Sequence, residues 1–269
     1  MKTKLFFIAI AFTLLAGCSS DDSSGSANSG VYLPLEVGNY WTYDVTADGL
    51  AITNRDSLYI SNDTVINTKT YKKFKTLNIP FGFYSNSLRN NGVRKQNDAL
   101  YMSGNAGLNL GAVLPIDLSV TDLMIFKESA AANQELGSVS GVINQDFQGY
   151  PLVINYTLKT TALETLPTFS IDENHSYTDV KKVKTTLNLK VATTVTVPGI
   201  PIPLSVTLLN TQDVVSSTQY YAKNIGMVYA NTIISYELQD FSSFGISLPI
   251  PQSGSQTQNE LLDNHFVNN

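Results

Sequence analysis

Few side chains in this sequence are equipped for chemistry, and their spacing removes most of what remains. There is one cysteine, Cys18, and there are two histidines, His175 and His265. His175 stands in "SIDENHSYTD" (170–179) beside Asp172, Glu173 and Asp179, an oxygen-rich group that would suit a hard cation. The stretch lacks the glycine and alternate-acid spacing of a calcium loop, and no second histidine accompanies it for zinc, so it reads as a solvated loop. His265 lies in the C-terminal tail, where nothing is expected to hold it rigid. "GSVSG" (137–141) has the outline of a Gly-x-Ser-x-Gly nucleophile turn, but Val139 occupies the attacking position. No Ser-x-x-Lys and no phosphate-cradling glycine loop occurs. Carboxylate pairs for glycoside hydrolysis are set in space and not in sequence, so 22 acidic residues decide nothing. The expectation is a chain with no catalytic residues, cofactor or metal, with a glycoside hydrolase as the enzyme alternative.

The thiol is the exception, because its surroundings give it a role. Lys2 and Lys4 precede the apolar run "LFFIAIAFTLL" (5–15), and Ala16-Gly17 then place two small residues before Cys18. That is the three-part order of an export signal. The apolar run is shorter than the roughly 20 residues a helix needs to cross ~30 Å of hydrocarbon. Leu15-Ala16-Gly17-Cys18 resembles the lipobox of bacterial lipoproteins. The resemblance implies that residues 1–17 are removed, that the Cys18 sulfur carries fatty acyl chains such as palmitate, and that the new amine is acylated too. At ~0.8 kcal/mol per buried CH₂, such an anchor is effectively permanent. With its sulfur consumed, the mature chain is left with no disulfide, thiolate nucleophile or sulfur-held metal. Ser19 in place of Asp resembles the sorting pattern for the outer membrane. "SSDD" (19–22) resembles the acidic export tag of Bacteroidota surface lipoproteins, which implies cell-surface exposure.

Composition then bounds the rest. Once Lys2 and Lys4 leave with the signal, 15 of the 17 basic residues face 22 acidic ones, so there is no electrostatic case for nucleic acid. Aromatics reach 10% while charged residues are only 14%, a balance that suits sheet surfaces better than helices. "SSDDSSGSANSG" has almost nothing to bury, and residues 18–33 read as the lipidated cysteine and a flexible tether. Residues 34–245 read as one β domain, and 246–269 as a linker and a short helical or disordered tail.

Within that domain the period is two. In "VKTTLNLKVATTVTV" (183–197) Val183, Leu187, Leu189, Val191, Val195 and Val197 share one face while Lys184, Asn188 and Lys190 take the other. At ~3.3 Å per residue this strand runs on the order of 50 Å, a length that belongs to large curled sheets or barrels. "VYANTIISYEL" (228–238) and "YPLVINYTLKTTAL" (150–163) alternate likewise, and "DFQGYP" reads as a hairpin turn before the second. "RDSLYISNDTVINTKTYKKFKTLNI" (55–79) carries turn signals at Ser61-Asn62-Asp63 and Asn67-Thr68-Lys69. Residues 121–137 fit a helix or a strand and turn, and the strand is favoured. "VPGIPIPLSVTLL" (197–209) links two strands, with Pro201 and Pro203 confining it to an edge or loop. Asp56-Ser57-Leu58 and Asp63-Thr64-Val65 resemble the short O-glycosylation acceptor of Bacteroidota.

"PLEVGNYWTY" (34–43) and "YYAKNIGMVY" (220–229) are similar to the two ends of a broad group of uncharacterised Bacteroidota lipoproteins. These open with Gly-Asn-x-Trp-x-Tyr and close with Tyr-x-Ala-x-x-Ile/Val-Gly-x-Val. The matching residues are Gly38, Asn39, Trp41, Tyr43, Tyr220, Ala222, Ile225, Gly226 and Val228. The resemblance implies an all-β fold, one large curled antiparallel sheet like the open half-barrels of periplasmic lipid carriers, with few or no helices outside the signal and tail. It carries no activity. Trp41, Tyr43, Tyr220 and Tyr221 are the candidate ligand-binding residues, with Trp41 more readily a core residue on its alternating strand. The expected function is that of a non-catalytic, lipid-anchored binding or envelope protein. Its alternatives are a carrier of a lipid or other apolar molecule, and a surface glycan-binding protein or glycan hydrolase.

Overall fold

A computed structural model of the chain describes residues 30–51, 53–106, 108–109, 115–116, 118–196, 202–241 and 250–268. Cys18 and the signal lie outside the described residues, as do the Pro198-Gly199 turn and Pro201. The elements in chain order are β1 (Tyr40–Ala47), β2 (Asn54–Ile66), β3 (Lys69–Thr76), α1 (Phe83–Leu88), β4 (Gly92–Gln96), β5 (Ala99–Asn105), β6 (Leu108–Asn109), β7 (Pro115–Ile116), β8 (Ser119–Lys127), β9 (Glu135–Phe147), β10 (Tyr150–Ser170), β11 (Ser176–Val195), β12 (Leu204–Ala222), β13 (Gly226–Glu237) and β14 (Ser253–Phe266).

Twelve strands form one antiparallel sheet in the order β8-β5-β4-β3-β2-β1-β14-β13-β12-β11-β10-β9. Read as a ring, it is an up-and-down meander in which each strand neighbours its predecessor and the last strand, β14, seats beside the first. The two ends of the sheet, β8 and β9, also meet. Thr160 of β10 donates its hydroxyl to Met124 O of β8 at 2.6 Å and to Gly137 O of β9 at 3.3 Å, which bridges a seam without a backbone ladder. Curling therefore goes beyond the half-barrel of the sequence reading to a nearly closed barrel. Tyr32 packs 5.3 Å from the Phe126 ring of β8 and under the Lys181 ammonium of β11.

Short turns set the register. Asn67-Thr68 and Gln148-Gly149 both take two successive positive φ values (47° and 68°, 53° and 85°), the pair that a tight two-residue hairpin requires. The period-two reading of 183–197 survives as far as the strand is described: Val183, Leu187, Leu189, Val191 and Thr193 are buried in β11. Lys182, Lys184 and Lys190 leave the other face wet. A barrel greasy inside and wet outside is the reverse of a membrane-spanning one. Residues 121–137 form the end of β8, a turn and the start of β9, as the favoured reading had it.

Four expectations need correction. Ser61-Asn62-Asp63 is a bulge inside β2, with the pairing register shifting between Ile60 and Asn62. The local side-chain bond Asn62 Nδ2 to Asp63 O (2.6 Å) is made, but Thr64 to Ile66 still find their partners in β3. The tether does not reach residue 33, because Tyr32 and Leu33 are 6% and 1% exposed and belong to the core. The domain does not stop at 245, and the tail is neither helical nor disordered: Ser253–Phe266 is β14, paired with β1 on one side and β13 on the other. Its strand pattern was invisible because two of its inward residues, Gln258 and Glu260, are polar. His265 is accordingly held in a strand, opposite Trp41.

Candidate functional site

Of the four candidate ligand residues, three are structural. Trp41 and Tyr43 face inward on β1 at 0% exposure, and Tyr221 faces inward on β12 at 1%. Trp41 donates Nε1–H to Ile225 O at 2.6 Å, and Tyr43 donates its hydroxyl to Met227 O at 3.2 Å. These bonds join the two sequence motifs across 184 residues of chain. Gly226, at φ 119°, lets them meet: a Cβ there would stand 2.8 Å from Trp41 Nε1. Asn39, fully buried, holds the first motif to the residues after β14, donating to Pro34 O (3.1 Å) and accepting from Asn268 N–H (2.8 Å). The Gly-Asn-x-Trp-x-Tyr strand and the Tyr-x-Ala-x-x-Ile-Gly-x-Val hairpin are thus halves of one clasp, and the aromatic rings are its pins.

A second constellation, which the sequence did not reveal, fills the barrel. The loop after β3 turns inward and ends in α1, a helix of six residues with no cap from its own side chains. Five consecutive backbone N–H groups are satisfied instead by the sheet. Asp56 of β2 accepts from Phe81 and Gly82 N–H (2.9 and 2.7 Å), and Gln258 of β14 accepts from Phe83 N–H (2.7 Å). Glu260 accepts from Tyr84 N–H (2.6 Å) and from Ser85 through both N–H (3.2 Å) and hydroxyl (3.1 Å). Gly82 is required by this fit, since a Cβ there would lie 2.2 Å from the Glu260 carboxyl. Burial pushes the Glu260 carboxyl up to about 7 against the pull of those N–H donors, with the Asp56 charge adding to the rise. Burial raises Asp56 as well. Tyr43, Tyr84 and Tyr221 surround the carboxyl, edge to face at 6.0 and 6.1 Å, and burial raises all three hydroxyls.

Both carboxylates are therefore occupied in holding a peg, and this pair is not free to act on a substrate. Beside α1 lies a cavity of about 30 Å³, walled by Phe83, Tyr84, Leu123, Leu158, Thr160 and Tyr221 among others. A site holds a water once it offers roughly 10–15 Å³ of such volume, and benzene binds in an engineered cavity of about 150 Å³, so this space suits one or two waters and not an acyl chain.

Tyr220, adjacent to Tyr221, points outward. Its ring stacks on Phe169 at 4.2 Å and meets Tyr229 at 5.4 Å, with the Lys182 ammonium 5.2 Å away. Lys182 also pairs with Glu164, and Tyr229 donates its hydroxyl to Asn259 at 2.7 Å. The outer face of β10 to β14 so carries a half-exposed aromatic trio rimmed by a cation, a carboxylate and amides.

The remaining candidates stay apart. Asp172 is taken up by its own loop, accepting from Asn174 N–H, His175 N–H and the His175 ring at 2.8–2.9 Å. "GSVSG" lies within β9, and the two Asp-Ser/Thr acceptor triplets lie within β2. Asp122, with a positive φ, gathers Arg94, Lys69 and the Tyr71 hydroxyl (2.6 Å). Burial works upward on Asp122, but the hydrogen bonds from Arg94, Lys69 and Tyr71 outweigh it and hold the carboxyl far below its ordinary range. That network ties β3, β4 and β8 together.

No family model matches the chain, and no curated protein matches it. A crystal structure of a presumptive lipoprotein from Parabacteroides distasonis superposes on 89% of this chain and 100% of its own at 10% identity, with a TM-score of 0.40. It is a distant structural neighbour, and neither the fold nor the function of this chain rests on it.

Proposed function

We propose that this chain is a lipid-anchored, non-catalytic protein of the outer membrane, exposed at the cell surface, whose barrel is a rigid scaffold and not a carrier. The observation that carries the reading is the packing of the described interior: Trp41, Tyr43, Tyr84 and Tyr221 occupy the space where an apolar cargo would sit, and among the described residues the cavity beside α1 is about 30 Å³. What it binds, it binds on its outer face. The anchor is supported by Leu15-Ala16-Gly17-Cys18 behind the charged and apolar segments.

Labelling cells with an alkynyl palmitate tests the anchor. The wild-type chain takes the label into the membrane fraction, and Cys18→Ser takes none; label on Cys18→Ser refutes it. Protease treatment of intact cells cuts the exposed chain, and protection contradicts surface display. Titration of the Cys18→Ser protein with a fluorescent fatty acid gives no saturable binding, whereas a stoichiometric site would restore the carrier reading. A surface glycan-binding protein is the second reading, favoured by the Phe169, Tyr220 and Tyr229 trio, because sugar faces stack on aromatic rings beside amide donors. On a glycan array, loss of signal in Tyr220→Ala supports it, and an array blank for the wild type dismisses it.

A further inference from the structure

β9 is a sheet end with one partner. It hydrogen-bonds to β10 from Tyr150↔Phe147 through Thr161↔Glu135, and among the described residues no strand pairs with its other edge. Near Gly137 it lies against Leu123 and Met124 of β8 without a backbone ladder. From Val139 to Phe147 the strand runs without a register shift, and Val142 is 57% exposed. Val139, Ile143 and Phe147, on the inner face, pack against the core while remaining partly uncovered. Natural edges repel other strands with lysine, proline or bulges. "VSGVINQDF" (139–147) has none of these and a single charge, Asp146. Its one weak point, Gly141, is covered by its cross-strand partner: a Cβ there would stand 2.7 Å from Tyr156 Oη. An aromatic ring laid over an edge glycine pins the strand.

We infer that this edge is a homodimer interface, in which β9 pairs antiparallel with β9 of a second copy about a two-fold axis at Ile143. A two-fold contact must be self-complementary, and this sequence is. With the axis at Ile143, Val139 faces Phe147 and Ile143 faces its own copy on the inner face, with Gly141 opposite Gln145 between them. On the outer face Val142 meets Asn144 and Ser140 meets Asp146, so no like charges oppose each other. Moving the axis to Val142 would set Val139 against Gln145 and Gly141 against Ile143. A slip of one residue would exchange the faces altogether. The match of the segment to its own reverse is what selects a second copy over a foreign strand.

Engineered thiols test the register, since Cys18 is the chain's one natural cysteine. Facing residues of an antiparallel pair have Cα atoms about 4.5–5.5 Å apart, within disulfide range. In oxidised membranes, Ile143→Cys forms a covalent dimer at least tenfold more than Val65→Cys, an exposed control on β2 at 68%. Val139→Cys alone does not, but Val139→Cys co-expressed with Phe147→Cys yields the mixed dimer. The unsubstituted chain, purified in detergent, sediments at twice its monomer mass, and Asn144→Pro returns it to monomer. A wild-type chain that sediments as monomer at every concentration overturns the inference. So does a disulfide pattern indifferent to position, or capture of a different protein by the Ile143→Cys variant in place of a second copy.

Discussion

The buried Glu260 makes the stability of this barrel depend on pH in a direction opposite to that of most carboxylates. Its folded-state value is raised from 4.5 to about 7 by burial. A group raised on folding contributes stability that is fully present below its unfolded value and lost as pH climbs through its folded value. The loss therefore falls between pH 4.5 and about 7. At about 1.4 kcal/mol per unit it amounts to about 3 kcal/mol. For a chain of this size that is roughly 6–12 °C in Tm, at about 2–4 °C per kcal/mol. Asp56, also raised by burial, adds in the same direction from its own lower starting point. His265, lowered by partial burial, opposes it, which is why the test is a comparison and not a single curve. Denaturation of the wild type and of Glu260→Gln, followed by Trp41 fluorescence from about pH 5 to pH 8, separates them. Glutamine removes one acceptor from Tyr84 and Ser85, so its stability is lower at acid pH, but its curve is flatter by about 3 kcal/mol across the window. A wild-type stability that rises across that range, or a Glu260→Gln slope equal to that of wild type, refutes the reasoning.

Other perturbations follow from single contacts. Ending the chain at residue 252 removes β14 from between β1 and β13, and the product is expected to be unfolded by circular dichroism and rapidly cleaved by protease. Gly226→Ala forces a side chain into a φ of 119° against Trp41, costing about 3 kcal/mol in urea denaturation and shifting Trp41 emission. Asp122→Ala leaves the Arg94 guanidinium, 13% exposed, without its carboxylate and costs about 2 kcal/mol. Its carboxyl is lowered on folding, so its contribution is present above pH 3.8 and disappears as acid titrates it, a loss visible as a steeper acid limb in wild type than in Asp122→Ala.

Legibility in the sequence followed the chemistry of the inner face. β11 declared itself because Val183, Leu187, Leu189 and Val191 are aliphatic at every second place, and β13 did so through Val228 and Ala230. β14 is as central to the sheet yet silent, because Gln258 and Glu260 replace the apolar residues that periodicity detects. Their reason lies about 175 residues away, in the N–H groups of Phe83, Tyr84 and Ser85. The same distance hid α1, whose caps are not its neighbours in sequence. Trp41 was readable as core from alternation, whereas Tyr43 stood among the ligand candidates and Tyr220 and Tyr221 could not be told apart by type. Parity along β12 sends them to opposite faces, one into the core beside Glu260 and one onto the outer aromatic trio.

Native mass spectrometry of the purified Cys18→Ser protein tests most directly whether this barrel is a filled scaffold. The spectrum is expected to show masses of the polypeptide and its assembly with no bound lipid, and to remain unchanged after incubation with fatty acid or phospholipid vesicles. A co-purifying lipid retained at one per chain, and lost when Tyr84 is replaced by tryptophan to crowd the cavity, would contradict it.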